Sequence, residues 1–469
     1  MAYIGTKPTI GNFQICDAIS VVNGQAAYTM QVGSVNVIPQ SANHMIVSLN
    51  GTIQKPNSSF TVSGSTITFA SNLATGDVID FIQILGDVLD LGVPSDATVT
   101  TAKLASDSVT YEKIGYNANQ FRNIIINGDM SIAQRGTSTS SITSDNTYPS
   151  CDRWKLRLTT LGTWTQSQST TVPTGQGFAT SLKMDCTTAD ASPAAGDRVF
   201  VKQAIEGQNL QYLKKGTSSA ESTTVSFWVR SNKTGTYICE LYDEDNSRSI
   251  SKSYTISSAD TWEKKELTFA GDTTGAFGND NGDSLGLHFW LGTGTTYSSG
   301  TLNTSWGTAT NANRAVGQVN LADSTSNEWY ITGVQLEAGT TASDFEFLPV
   351  DVNSQRCHRY CFVIGDSPAG AAYDNNVGGV IGNYYSTTNF YPNYTFPVPL
   401  RADPSLSFSS STLGTVYVAG SGLSVTGTGT NASKTSNVSF RTDTSATTAG
   451  YAGQFLFGTG EYVICSAEL

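Results

Sequence analysis

Thr224-Val225-Ser226-Phe227-Trp228-Val229-Arg230 sets Val225, Phe227 and Val229 on every second position, the period of a strand with one buried face. The pattern returns on both sides of it. Thr236-Tyr237-Ile238-Cys239-Glu240-Leu241 alternates, and Trp262-Glu263-Lys264-Lys265-Glu266-Leu267-Thr268-Phe269 places its charges on an exposed stretch. Leu285-Gly286-Leu287-His288-Phe289-Trp290-Leu291 and Trp329-Tyr330-Ile331-Thr332-Gly333-Val334-Gln335-Leu336 complete the set. Gly, Asn, Asp and Ser loops separate these runs, and no helical periodicity interrupts them. Many strands at moderate spacing predict a sandwich or jelly roll over residues 120–350.

Residues 1–93 read as a smaller β domain. Asn50-Gly51 between two apolar runs suits the positive-φ positions of a type I′ hairpin. Phe60-Thr61-Val62-Ser63-Gly64-Ser65-Thr66-Ile67-Thr68-Phe69 predicts a second hairpin around Gly64. Val78-Ile79-Asp80-Phe81-Ile82-Gln83-Ile84-Leu85 predicts a buried closing strand. Residues 94–119 differ: a ten-residue repeat puts Val99, Leu104, Val109 and Ile114 five apart, which fits neither one helix stripe nor one strand face. Two readings stand, a neck packing those four residues around a three-fold axis and a surface linker. Residues 351–469 form a third unit. Gln355 to Ile364 opens with a helical turn and continues as a strand. Pro397, Pro399 and Pro404 exclude a central strand where they lie. The stretch from Ser421 to Ser436 is a long hairpin or a loop.

The 469 residues are 38% hydrophobic but only 14% charged, and 45 are glycine. Hydroxyls and amides therefore solvate the surface, a composition suited to strands and tight turns. The net charge of −12, with no basic cluster, disfavours nucleic acid and anionic membranes as partners. Seven scattered cysteines, an odd number, predict free buried thiols in a protein folded in a reducing cytoplasm. No apolar run approaches a membrane span, and the first residues carry no signal-peptide core. A protein used outside the cell without an export signal fits release by lysis.

Asn123-Ile124-Ile125-Ile126-Asn127-Gly128-Asp129-Met130-Ser131-Ile132-Ala133-Gln134-Arg135-Gly136 opens a series of blocks. Asp152-Arg153-Trp154, Phe227-Trp228-Val229-Arg230-Ser231, Thr261-Trp262-Glu263-Lys264-Lys265 and Ile331-Thr332-Gly333-Val334-Gln335-Leu336-Glu337-Ala338-Gly339 follow in order. Phe345-Glu346-Phe347-Leu348-Pro349 and Gln355-Arg356-Cys357-His358-Arg359-Tyr360 close the series. The series resembles a module of phage tail-fibre and virion structural proteins, itself similar to a carbohydrate-binding jelly roll. Phe396-Pro397-Val398-Pro399-Leu400-Arg401-Ala402-Asp403-Pro404-Ser405 is similar to the stretch that follows that module. Residues 41–86 resemble a fibre module found at the virion-attached end. The resemblance implies a phage fibre and supplies no motif for a sugar-binding residue.

Gly282-Asp283-Ser284-Leu285-Gly286 matches the Gly-x-Ser-x-Gly nucleophile elbow. That elbow needs a strand, a sharp turn and a helix, whereas an alternating strand follows Ser284. No catalytic residue is assigned. Asp280 and Asp283, in an acidic turn, are the residues that could hold Ca²⁺, but the 12-residue loop with its closing Glu is missing and hairpin turns use Asp the same way. No metal or cofactor is therefore assigned. Cys357 to Cys361 lacks the second ligand pair of a zinc site and reads as packing at a domain junction. Sugars stack on aromatic faces while amides read their hydroxyls. Tyr384, Tyr385, Tyr391 and Tyr394, interleaved with Asn383, Asn389 and Asn393, are the first glycan-contact candidates. Loop residues Tyr297 and Trp306 come second, although aromatic rings mostly serve cores.

The expectation is an all-β, multi-domain fibre protein without catalysis. A small amino-terminal sandwich attaches to tail adaptor or nozzle proteins, and a short neck, a central jelly roll and a carboxy-terminal receptor-binding tip follow. It would form a homotrimer on the phage tail, made in the host cytoplasm, and bind a host-surface polysaccharide or protein receptor. The alternatives are a polysaccharide-degrading spike and a structural head or collar decoration.

Overall fold

The alternation at 224–230 becomes the strand Thr223–Ser231, paired antiparallel with Glu263–Phe269 on one side and Glu328–Ala338 on the other. The structure, a computed structural model, describes residues 13–85, 121–145, 148–368 and 379–469. It is all-β, with thirty strands and two short α-helices among the described residues. No helix there is long and apolar enough to cross a membrane. The chain divides between residues 118 and 119 into two compact units.

The first unit has a four-stranded and a three-stranded sheet around one core that includes Tyr28, Val47, Phe60, Ile67 and Ile82. Asn50 and Gly51 both have positive φ, and Leu49 pairs with Thr52, as a two-residue hairpin requires. The Gly64 hairpin forms with Ser63 opposite Thr66. The strand expected to be buried is only half so. Ile79–Ile84 buries Ile79, Ile82 and Ile84, while Phe81 is exposed and Asp80 takes hydrogen bonds from Ser48 Oγ and Gly51 N. The neck candidates Val99, Leu104, Val109 and Ile114 lie outside the described residues.

In the second unit an eleven-stranded sheet, ten strands in one hydrogen-bonded path and Ser138–Ser144 off it, folds into a sandwich through one strand, Lys155–Ser169. Its first part pairs with Arg198–Glu206 and its second with Ser181–Thr188. Between them Thr160 and Gly162 turn the corner with positive φ. A Cβ on Gly162 would lie 2.7 Å from the Thr188 carbonyl oxygen, so only glycine fits. The two layers meet ring to ring: Phe227 lies 5.0 Å from Phe289 and 5.0 Å from Tyr254.

The remainder of the unit contains a three-stranded sheet and a seven-stranded sheet that share one apolar core. Helix Val350–His358 leads into strand Cys361–Gly365, as the sequence predicts. The prolines lie between strands Asn389–Thr395 and Ser405–Phe408. The Ser421 to Ser436 stretch is neither a hairpin with itself nor a loop. Ser421–Ser424 and Gly427–Ser433 form the two opposite edges of the seven-stranded sheet, joined by only Val425 and Thr426. Extended chain spans at most ~3.6 Å per residue, so the sheet must curl until its edges approach. Its concave side then encloses Tyr384, Phe390, Val416, Phe440 and Phe455.

Buried ion pairs fasten these sheets to the sandwich. Glu206 on the sandwich accepts from Arg359 Nε at 2.8 Å and NH2 at 2.7 Å, and from the Tyr360 hydroxyl. Glu468 pairs with both Arg135 and Arg153, and Gln134 donates to the Cys361 carbonyl oxygen. Arg401 and Asn281 exchange two hydrogen bonds. Cys357 and Cys361 are buried at this junction, as expected. All seven cysteines are free and buried; burial pushes the Cys357 and Cys361 thiols well above their ordinary range.

Candidate functional site

The period of two decides which tyrosines can meet a ligand. On strand Val380–Tyr384 the first and last residues point into the core, so Ile381 and Asn383 point out. On Asn389–Thr395, Phe390 points in, and Tyr391 and Asn393 point out. Register carries the outward row across the curled sheet. Tyr417 lies opposite Gln454, Gln454 opposite Ile381, Ala452 opposite Asn383, and Asn383 opposite Tyr391. Tyr385 meets Tyr391 edge to face at 5.8 Å. Tyr385 is 78%, Ile381 71% and Tyr417 47% exposed. Asn383 has no side-chain partner among the described residues, and Asn393 keeps one contact, to Asn437 at 3.4 Å. The convex side of the sheet is thus a row of exposed rings and one apolar side chain separated by amides.

Two of the four tyrosine candidates are not on this surface. Tyr384 is a core ring 5.1 Å from Phe390, its hydroxyl 2.9 Å from Thr444 Oγ1. Its neighbour Tyr385 is exposed because adjacent strand residues face opposite ways. Tyr394 is half-buried and stacks on Phe362 at 5.5 Å. Asn389 gives its amide to Asp443.

The loop candidates are structural too. Tyr297 is buried against Trp290 and accepts from Arg198 NH1. Trp306 donates to the Ala270 carbonyl oxygen and carries Lys215 Nζ 5.5 Å from its ring centroid. Neither Ca²⁺ candidate has a ligand arrangement: Asp280 accepts from Gly282 N, and Asp283 accepts from Lys202 Nζ at 2.7 Å. No group of three His, Cys, Asp or Glu residues among those described could hold a metal ion. Ser284 lies buried within strand Asp283–Thr293, which is not the turn a nucleophile elbow needs.

The outer face of the second sandwich layer is closed over. Phe200, Ile238 and Trp290 pack there under Tyr297 and Ala315. Beside them Glu240 is fully buried. It accepts from Arg314 Nε at 2.8 Å and NH2 at 2.9 Å and from Trp290 Nε1 at 3.0 Å, and lies 3.0 Å from His288 Nδ1. Burial alone would raise the Glu240 pKa, but the Arg314 charge and the bonds from His288 and Arg314 bring it to about 2. Burial keeps His288 below its ordinary value. Both oxygens of Glu240 are engaged and fully buried, so this cluster holds the covering loop and lies out of a ligand's reach.

One concavity has no trace in the sequence. A cleft of about 480 Å³ opens among residues 121–126, residues 203–212 and helix Val350–His358. Phe121, Gln208, Asn209, Tyr212, Arg356 and Arg359 line it. The residues come from three distant stretches, and no spacing rule unites them.

No family model and no curated protein matches the chain. Among solved structures it is similar to three of note. One is the enzymatically active domain of tailspike protein 4 of bacteriophage CBA120, at 16% identity and TM-score 0.25, covering 46% of this chain but only 21% of that one. Another is TmCBM61, solved with β-1,4-galactotriose, at 9% identity and TM-score 0.25, covering 46% of this chain and 99% of that one. The third is the CBM22 tandem domain of Xyn10C from Paenibacillus barcinonensis, at 15% identity and TM-score 0.25, covering 70% of this chain and 79% of that one.

Proposed function

We propose that the chain is a non-enzymatic adhesin of a phage tail fibre that holds host-surface glycan against the convex face of its curled carboxy-terminal sheet. The observation that carries this reading is the row of exposed Tyr417, Ile381 and Tyr385 with the half-buried Tyr391 and with Asn383 between rings. Ring faces stack on pyranose faces, and a free side-chain amide pairs with hydroxyls. The amino-terminal unit attaches to a tail adaptor or nozzle protein. Three copies assemble around the neck, so weak single contacts multiply into firm adhesion.

The test is a Tyr385→Ala/Tyr391→Ala/Tyr417→Ala variant of the full chain. Removal of residues after 350 would be the wrong variant, because it strips counter-ions from buried arginines in the sandwich. Binding to immobilised host envelope polysaccharide should fall at least about tenfold, which is ~1.4 kcal/mol, with the melting temperature unchanged. Undiminished binding sinks the assignment of the face. New reducing ends in the incubated polysaccharide would replace adhesion with a degrading spike. A monomer by light scattering removes the trimer.

A further inference from the structure

Charge in the cleft between the sandwich and helix Val350–His358 is unevenly matched. Arg359 is neutralised by Glu206. Arg356, one turn earlier, has no carboxylate within ion-pair reach among the described residues. Its NH2 donates to the Asn123 carbonyl oxygen at 3.1 Å, and its buried NH1 has no acceptor. The Glu346 carboxylate accepts from Asn123 N at 2.9 Å. Burial lowers the Arg356 pKa. A guanidinium that is largely desolvated and unpaired carries a standing cost, which an incoming anion would offset. In a chain of net charge −12 a surplus half-buried cation at a cleft wall is a local exception.

The rest of the wall says what the anion is attached to. Phe121 is 68% and Tyr212 49% exposed, two ring surfaces on the same cleft. Among the described residues the exposed Asn209 has no side-chain partner and the Gln208 side-chain amide donates only to Glu206. The volume of about 480 Å³ falls in the ~300–1,000 Å³ range of small-ligand sites. A guanidinium, ring faces and a free amide together recognise a carboxylate carried on a polyhydroxylated ring.

We infer that this cleft is a binding site for a carboxylated saccharide, a uronic-acid unit of an acidic glycan. The acid group would sit on Arg356 and the ring against Tyr212 and Phe121. This site shares no residue with the convex sheet face and does not depend on it.

Digalacturonate, its dimethyl ester and acetate serve as probes, titrated into the purified full chain by calorimetry or NMR. The acid should bind, and the ester should bind about 10–100-fold more weakly, the value of a charge-assisted hydrogen bond. Arg356→Gln should lose binding to the acid by a similar factor. Tyr212→Ala should weaken it several-fold without altering the melting temperature. If Arg356→Gln does not fold, the ester and Tyr212→Ala decide. Equal binding of acid and ester, or no binding of digalacturonate, overturns the site. Acetate binding as tightly as digalacturonate overturns the saccharide. The triple tyrosine variant of the sheet face should bind digalacturonate normally; loss there would assign the sugar to that face instead.

Discussion

The second unit has two sheets whose outward faces received opposite treatment. On the sandwich layer, outward Phe200, Ile238 and Trp290 lie under a loop pinned by Glu240, Arg314 and His288. On the curled sheet, outward Ile381, Tyr385 and Tyr417 face solvent. Both faces carry rings and β-branched side chains, so composition does not separate them. The difference lies in what comes next in the chain. A long Gly/Asn/Ser loop after Asp283–Thr293 folds back over its own sheet, whereas among the described residues Ile381, Tyr385 and Tyr417 stay open to solvent on the curled sheet. An aromatic face is therefore evidence of binding only where no covering segment is at hand.

The largest break of this contrast is Arg314→Ala. It leaves Glu240 buried without its cation and should cost about 3–5 kcal/mol in a urea titration followed by tryptophan fluorescence. A matched pair comes next. Ile238→Ala on the covered face should cost about 2–5 kcal/mol, while Ile381→Ala on the open face should stay within ~0.5 kcal/mol. If the two cost the same, the faces are not differently built. Acid should then loosen the covered face rather than the open one. His288 and Glu240 both have lowered folded pKa values, so each adds stability above its unfolded value and loses it as pH falls. His288 begins to lose its share below its ordinary 6.5, and Glu240 loses its share between 4.5 and about 2. The urea midpoint should drop from pH 7 to pH 4, and His288→Gln should flatten that drop. The smallest effect belongs to Tyr385→Ala, within ~0.5 kcal/mol in stability, measurable only as weaker glycan binding.

Strand alternation was legible at 224–230, at the Asn50-Gly51 hairpin and in the run through Leu287, Phe289 and Leu291, although that last strand is buried on both faces. The curl of the last sheet was not, because two edge strands joined by Val425 and Thr426 look like a hairpin until their partners are known. Tyrosine exposure followed from register, which a cluster of Tyr and Asn does not reveal. Tyr384 and Tyr385 differ by one residue and by the whole depth of the core. The blocks quoted for the fibre resemblance supply Gln134, Arg153, Arg359, Tyr360 and Arg401, and these five meet at one junction. Their separation in sequence hid a contact that couples them in space. The Arg356 cleft was hidden for the same reason.

Glu468 has a consequence in time. It follows Arg153 by 315 residues and Arg135 by 333, yet it is the acid that both buried guanidiniums pair with. At a ribosomal pace of ~5–20 residues per second, roughly a quarter of a minute to a minute separates the first partners from the last. In the last part of that interval, once Glu328–Ala338 has been made, the sandwich has its strands but still lacks Glu468. Completion of the oldest part of this unit is thus deferred to the arrival of the youngest, and a chain cut short on the ribosome would leave a sandwich with Arg153 unpaired and Arg135 held by Asp152 alone.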